Sequence, residues 1–240
     1  MRLVLFIVST LFTGLLSGQE FRPYNPSQGP TAGLLGLGGG ITLYSTYLGN
    51  RVEPMSIEQI NSLDANRIWG IDRFSLRHYS LPADEWTDKL LLAAFATPFF
   101  NLLSKRGRDN FGDIGLVVFE GALLNAALVN LSKVTAKRAR PYNYNPDVPI
   151  DIKQSKSARY SFFSGHAATS AFFAFSGAKL YHDLYPDSKA RPYVWAAASL
   201  IPTFVAYGRM KAGRHFFTDV LTGFVVGTTV ALVVPELNKR

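Results

Sequence analysis

The chain has 240 residues, 48% hydrophobic, 18% charged and none cysteine. That is ample apolar material for a core and too little charge for a disordered chain, and it excludes disulfides, thiolate metal sites and a cysteine nucleophile. A net charge of +8 admits nucleic acid, an anionic membrane surface or a small anionic substrate as partner, and the basic residues form no single run that would decide between them.

The first residues, MRLVLFIVSTLFTGLLSGQE, carry one basic residue, an apolar run from Leu3 to about Leu16, and small residues at Ser17 and Gly18. This reads as a signal peptide over 1–18, with an uncleaved N-terminal anchor as the alternative. Residues 19–88 read as an N-terminal extension and connection. A Pro/Gly-rich stretch from Pro23 to Gly40 leads into a polar region, Asn50 to Asp88, in which Pro54 and Pro82 act as breakers between short helices. Glycine costs helix stability, so the 33–48 segment is expected at the interface or packed on the bundle, not crossing a bilayer.

Residues 89–240 hold five apolar segments: Leu90 to Leu103, Ile114 to Leu131, Ala167 to Leu180, Val194 to Ala206 and Val220 to Val234. None alternates strictly and each is long for a strand, so helix is favoured. The expected fold is all-α, a helical bundle of about five to six core helices embedded in a membrane. Most segments are shorter than the roughly 20 residues of a span, which keeps a soluble exported bundle as the alternative. If all five cross, SKRGRDN (104–110), the 182–192 connection and the C-terminal PELNKR share one side, whose Lys and Arg make it cytoplasmic.

Three short stretches on the other side carry chemistry. In KVTAKRARP, Lys133, Lys137 and Arg140 are spaced i, i+4, i+7, one face at the end of a helix that Pro141 terminates. Such a set is either a solvated basic face or a cluster needing an anion. In SFFSGHAAT, Ser164-Gly165-His166 precedes a helical run, so the Ser164 and Gly165 amides are candidate helix N-terminal anion donors, with His166 beside them to move a proton. The plainer reading makes Ser164 an N-cap and His166 a packed polar residue. In GRMKAGRHFFTD, His215 and Asp219 are i, i+4, so on a helix the carboxylate can hold one ring nitrogen and free the other as a nucleophile, while Arg209 offers a fork for an oxyanion. Together the three supply what phosphoryl transfer to histidine needs: cations, a nucleophile and an acid, with no metal or other cofactor.

Lys133, six residues, Arg140-Pro141; Ser164-Gly165-His166; Arg209, five residues, His215, three residues, Asp219: this order and spacing resembles the three-part signature of the type 2 phosphatidic acid phosphatase superfamily, with its vanadium haloperoxidases and class A acid phosphatases. The resemblance covers about 110–235. It implies that His215 attacks phosphorus, that Asp219 orients it, and that His166 protonates the leaving group and then activates water. It also implies that Lys133, Arg140, Arg209, Ser164 and the Gly165 amide hold the phosphate. The implied protein is a lipid phosphatase of a bacterial inner membrane with its site facing the periplasm, or a soluble periplasmic acid phosphatase. A non-catalytic lipid-headgroup-binding protein is the rival of another class, and nucleic acid is not expected as a partner. Two positions depart from the family: Phe163 stands where proline is usual and Gly208 where serine is usual. Elsewhere, Glu120 reads as an intramembrane acid or as the partner of a buried cation, and His78 and His182 as surface residues.

Overall fold

The structure is a computed structural model and describes residues 21–239; the leader expected over 1–18 lies outside these. Among the described residues the chain is helical and has no strand, only an isolated bridge between Tyr24 and Lys239. Six long helices form the bundle: α1 (Gln28–Asn50), α3 (Leu81–Ala96), α5 (Phe111–Ala136), α7 (Gly165–Leu184), α8 (Arg191–Lys211) and α9 (Phe217–Leu237). Short helices α2 (Ile57–Asn61), α4 (Lys105–Asp109) and α6 (Ile150–Lys153) lie in the connections, with 3-10 turns at Gly70–Arg77, Thr97–Leu103 and Pro141–Tyr144.

All five apolar segments are helical, and their boundaries follow local chemistry. The first starts nine residues before Leu90, because Ser80 caps the Ala83 amide through its hydroxyl and Pro82 sits in the first turn, where its missing N–H does no harm. Pro82 therefore starts a helix where the sequence reading made it a breaker. The Gly-rich 33–48 segment is packed on the bundle, but as a full helix of 23 residues against α5; tertiary contact overrides the intrinsic cost of its glycines. The stretch that opens at Phe111 and α9 are long and apolar enough to cross a membrane by length and composition.

α7 is the axis of the bundle. It contacts α3, α5, α8 and α9 and is buried along most of its length, with Phe172, Phe173 and Phe175 in the main core. α9 lies unusually close to it: a Cβ at Gly227 would stand 2.0 Å from the Ala168 carbonyl oxygen, and one at Gly223 would stand 2.5 Å from that of Ser164. Small residues at a helix crossing let backbones approach in this way.

The two ends of the bundle differ. At one end, Arg106 donates to the Leu184 carbonyl at 2.9 Å and Lys239 pairs with Asp183 at 3.0 Å, so 104–110, the α7–α8 connection and the C-terminus lie together as the segment parity required. Tyr24 ties the N-terminal stretch to this end through a 2.6 Å hydrogen bond to Asp183. The other end gathers the C-terminus of α5, the N-terminus of α7, the C-terminus of α8 and the N-termini of α3 and α9. Glu120 accepts from Asn238 at 2.7 Å, so its observed partner is an amide and not a cation. His182 is no bare surface residue either, since it accepts from Arg191 and from the Trp195 indole at 3.1 and 3.2 Å.

Candidate active site

Each of the three sequence stretches reaches the same end of the bundle, though not always in the expected geometry. α5 stops at Ala136, and Lys137 turns in a left-handed conformation at φ 46° whose amide bonds back to the Lys133 carbonyl at 3.2 Å. Lys133, Lys137 and Arg140 therefore do not share a helical face. Lys137 is exposed, while Arg140 lies in the extended segment that follows and is 9% exposed. Lys133 still reaches the same end as the other two stretches: its Nζ lies 3.1 Å from where a Gly165 Cβ would be, so the missing side chain lets the amine sit over the first turn of α7. Arg140 is anchored by its Nε to the Ser157 carbonyl at 2.9 Å and by its backbone amide to the Ala158 carbonyl at 2.9 Å. Among the described residues neither Lys133 nor Arg140 forms an ion pair.

α7 begins at Gly165 with Ser164 as its N-cap, the serine hydroxyl accepting from the Ala167 amide at 3.3 Å. The Ser164 amide is not a spare donor, because it is bonded to the Asp219 carbonyl at 3.0 Å. The Gly165 amide has no partner among the described residues, as the first N–H of a helix does unless something outside supplies one. His166, on the first turn, bonds through Nε2 to Asp88 Oδ1 at 2.8 Å.

His215 precedes α9, whose first residue is Phe217, so its spacing to Asp219 is not a within-helix pair. Its Nδ1 lies 2.7 Å from the Ser161 carbonyl oxygen and 3.9 Å from Asp219 Oδ2. A carbonyl only accepts, so Nδ1 carries the proton and Nε2 keeps its lone pair. Asp219 acts one step further out. It accepts from the Ser161 hydroxyl at 2.5 Å and from the Phe216 amide at 2.9 Å, which fixes the backbone on both sides of the imidazole. His215 is wholly buried in a cationic setting. Burial first, then the charges of Arg140 and Arg209, against the pull of Asp219, push its imidazole down to about 3, so it is neutral at ordinary pH.

Several partners escaped the sequence reading. Arg138 donates to Asp219 Oδ1 at 2.5 Å, to Thr218 Oγ1 at 2.9 Å and to Asp72 Oδ2 at 2.8 Å, with its guanidinium 4.1 Å above the Phe216 ring. Asp72 in turn accepts from the Thr218 amide at 2.9 Å. Asp84 on α3 binds Arg209 and Arg214, and Asp88 one turn later binds His166. The available signal was Ser80 followed by Pro82, a helix start that puts Asp84 and Asp88 four apart on one face of α3.

An all-α bundle with two histidines and a cationic cradle at one end of its helices defines a class, and the sequence model of the PAP2 superfamily matches residues 115–240. The chain belongs to that superfamily. It is 24% identical over 155 residues to a lipid A 4'-phosphatase of Porphyromonas gingivalis, covering 63% of this chain and 61% of that protein. It is also 24% identical over 138 residues to an undecaprenyl-diphosphatase of Sulfolobus acidocaldarius, covering 58% of this chain and 60% of the other. The chain thus spans about three-fifths of the length of these relatives. The crystal structure of a transmembrane PAP2 type phosphatidylglycerolphosphate phosphatase from Bacillus subtilis superposes over 83% of this chain and 94% of that one, with a TM-score of 0.46 and 23% identity.

Two outcomes follow from the buried network. Arg138→Leu leaves two buried carboxylates facing each other without a cation, a loss of about 3 kcal/mol in unfolding free energy; this takes the low end of the usual range because the Arg138 side chain is 28% exposed. Denaturant unfolding in detergent measures it, and a change below about 0.5 kcal/mol contradicts the network. For His215, a folded-state value near 3 against an ordinary 6.5 means stability that is present above pH 6.5 and lost as pH falls toward 3. His215→Asn keeps a donor for Ser161 and has nothing to titrate, so its thermal midpoint falls less steeply between pH 6.5 and 4 than that of wild type. Parallel slopes contradict the burial argument.

Proposed function

We propose that the protein is a membrane-embedded phosphatase of lipid phosphates or pyrophosphates that works without a metal, through a phosphohistidine. The observation that carries this reading is the convergence of Lys133 and Arg140, two cations without carboxylate partners, on the end of the bundle where the neutral His215 keeps its Nε2 lone pair. An anion on an apolar anchor fits such a place at the end of apolar helices.

In the proposed reaction, Nε2 of His215 attacks phosphorus as the bond to the leaving oxygen breaks, and His166 gives that oxygen its proton. Water then attacks the phosphorus–nitrogen bond, losing its proton to His166, and the imidazole is released with inorganic phosphate. As charge develops on the phosphoryl oxygens, Lys133, Arg140, Arg209 and the Gly165 amide stabilise it. The Ser164 hydroxyl retains a hydrogen it can donate there while capping α7. Asp219 keeps the Nδ1-protonated tautomer in place through Ser161. Burial, then the charge of Arg209, push the His166 imidazole down to about 4 against the pull of Asp88, so it is the negative charge of the phosphate beside the ring that raises its proton affinity for the first step.

The relatives named as acting on lipid A and on undecaprenyl diphosphate support a lipid substrate, and the two membrane-length helices support embedding. The signal-like N-terminus and the short basic connections at the far end support a bacterial inner membrane with the site facing the periplasm.

Phosphate release by detergent-purified protein without added metal, over phosphatidic acid, phosphatidylglycerol phosphate, undecaprenyl pyrophosphate, lipid A and p-nitrophenyl phosphate, tests the reaction. His215→Ala is expected to lose at least about a thousandfold, and His166→Ala to accumulate an acid-labile phosphoenzyme from p-nitrophenyl phosphate, whose leaving group departs without an acid. Equal, background-level release by wild type and His215→Ala across the panel would sink the proposal. The absence of cysteine makes orientation easy to probe. A membrane-impermeant maleimide applied to intact cells whose outer membrane has been permeabilised should label Lys137→Cys and spare Lys105→Cys; the reverse pattern overturns the orientation.

A further inference from the structure

Arg209 is held from one side by a helix that lies outside the sequence motifs. Its Nη1 donates to Asp84 Oδ1 at 2.5 Å and to Thr87 Oγ1 at 3.1 Å. The second Asp84 oxygen accepts from Arg214 Nε at 3.0 Å and Nη2 at 2.5 Å, so one carboxylate ties the two arginines together. Arg209 is only 4% exposed, yet its Nε has no hydrogen-bond partner. A buried guanidinium N–H left over in this way is costly unless a water or a bound ligand supplies an acceptor.

Gly208 is what allows the contact. A Cβ there would stand 2.3 Å from Thr87 Cγ2 and 2.4 Å from Trp86 Cη2, so α3 could not seat this deeply on α8 with Thr87 and Asp84 in reach of Arg209. This is one of the two positions where the chain departs from the usual family residue, and the departure and the α3 carboxylate form one arrangement.

We propose that Asp84, seated through the Gly208–Thr87 contact, is a positioning residue: it fixes the Arg209 guanidinium by its Nη1 edge so that the unpartnered Nε–H is presented to a phosphate oxygen of the substrate. The identity of that anion rests on the phosphatase reading. Asp84 touches Arg209 and Arg214 and not the anion, and its charge has the same sign as phosphate. The direction of its effect therefore separates two roles. A carboxylate that merely competes for Arg209 strengthens phosphate binding when removed; one that aims Arg209 weakens it.

The test is a double-mutant cycle on the full chain in detergent, with wild type, Asp84→Ala, Arg209→Ala and the double variant, read as the dissociation constant for inorganic phosphate by calorimetry and as kcat/KM on the lipid panel. Removing an orienting partner of this kind costs about tenfold or more, so Asp84→Ala is expected to weaken phosphate binding and lower kcat/KM by about tenfold. The double variant should be within about twofold of Arg209→Ala alone, because Asp84 acts through Arg209. Thr87→Val removes an acceptor without changing charge or volume much and should shift both readouts the same way by less, which keeps the test alive if Asp84→Ala folds poorly. Tighter phosphate binding by Asp84→Ala, losses that multiply in the double variant, or no phosphate binding by wild type overturns the proposal. If the cycle couples as expected but no lipid phosphate is hydrolysed, the phosphatase reading falls and the clamp stands. If lipids are hydrolysed and the cycle shows no coupling, the reverse holds.

Discussion

A wholly buried carboxylate has to be satisfied, and much of the end of the bundle where the three signature stretches meet is arranged to satisfy Asp219. Its two oxygens take Arg138, the Ser161 hydroxyl and the Phe216 amide, and its own carbonyl takes the Ser164 amide. Those four bonds join the segment after α5, the approach to α7 and the start of α9, which are far apart in the chain. An unpaired carboxylate in that position would be strongly destabilising, so the segments are locked relative to one another before any substrate chemistry is considered. His215 inherits its place from this lock: Ser161, held by Asp219 through its side chain, gives its carbonyl to the imidazole.

The same end shows a division among its cations. Arg138 is neutralised by Asp72 and Asp219, while Arg209 and Arg214 share the single charge of Asp84, with Asp88 3.8 Å from Arg209. Lys133 and Arg140 have no such partner among the described residues. Neutralised arginines act as struts, whose fixed geometry orients neighbours; unpaired ones leave a local excess of positive charge. Carboxylates from the 70s turn and from α3 therefore set how much positive charge is left over at this end and how the arginines are held, and neither element belongs to the signature stretches.

How much of this was legible in the sequence depends on the range of the interaction. The apolar segments announced the helices because periodicity and length are local properties, and the spacing of the signature residues announced which side chains meet. What stayed hidden was set by tertiary contact. Asp72 and Arg138 are 66 residues apart and Asp84 and Arg209 are 125 apart, and no local pattern pairs them. Two errors were local and avoidable in principle. Pro82 by itself reads as a breaker, but Ser80 two residues before it stands in capping position, and a regular helix through Arg140 fails because Lys137 leaves it in the left-handed region. The His215–Asp219 spacing suggests a helical pair, but it straddles a helix start, where the acidic group at the third position caps the backbone and only indirectly holds the ring.

The two departures from the family pattern can be weighed in these terms. Phe163 is 6% exposed and packs with Val129 and Ala168, while its amide donates to the Ser132 hydroxyl at 3.2 Å. It fills space between α5 and α7 just ahead of the N-cap, and a proline there would have no N–H to give Ser132. Gly208 removes a side chain where α3 crosses α8. Neither residue supplies a proton, a charge or a nucleophile, and each is matched by a neighbour that uses the change, Ser132 in one case and Thr87 in the other. A site losing its chemistry by drift would be expected to show unmatched changes among the charged groups themselves. Here Lys133, Arg140, His166, Arg209, His215 and Asp219 all stand at the spacing of the signature, and the two departures lie in the packing around them.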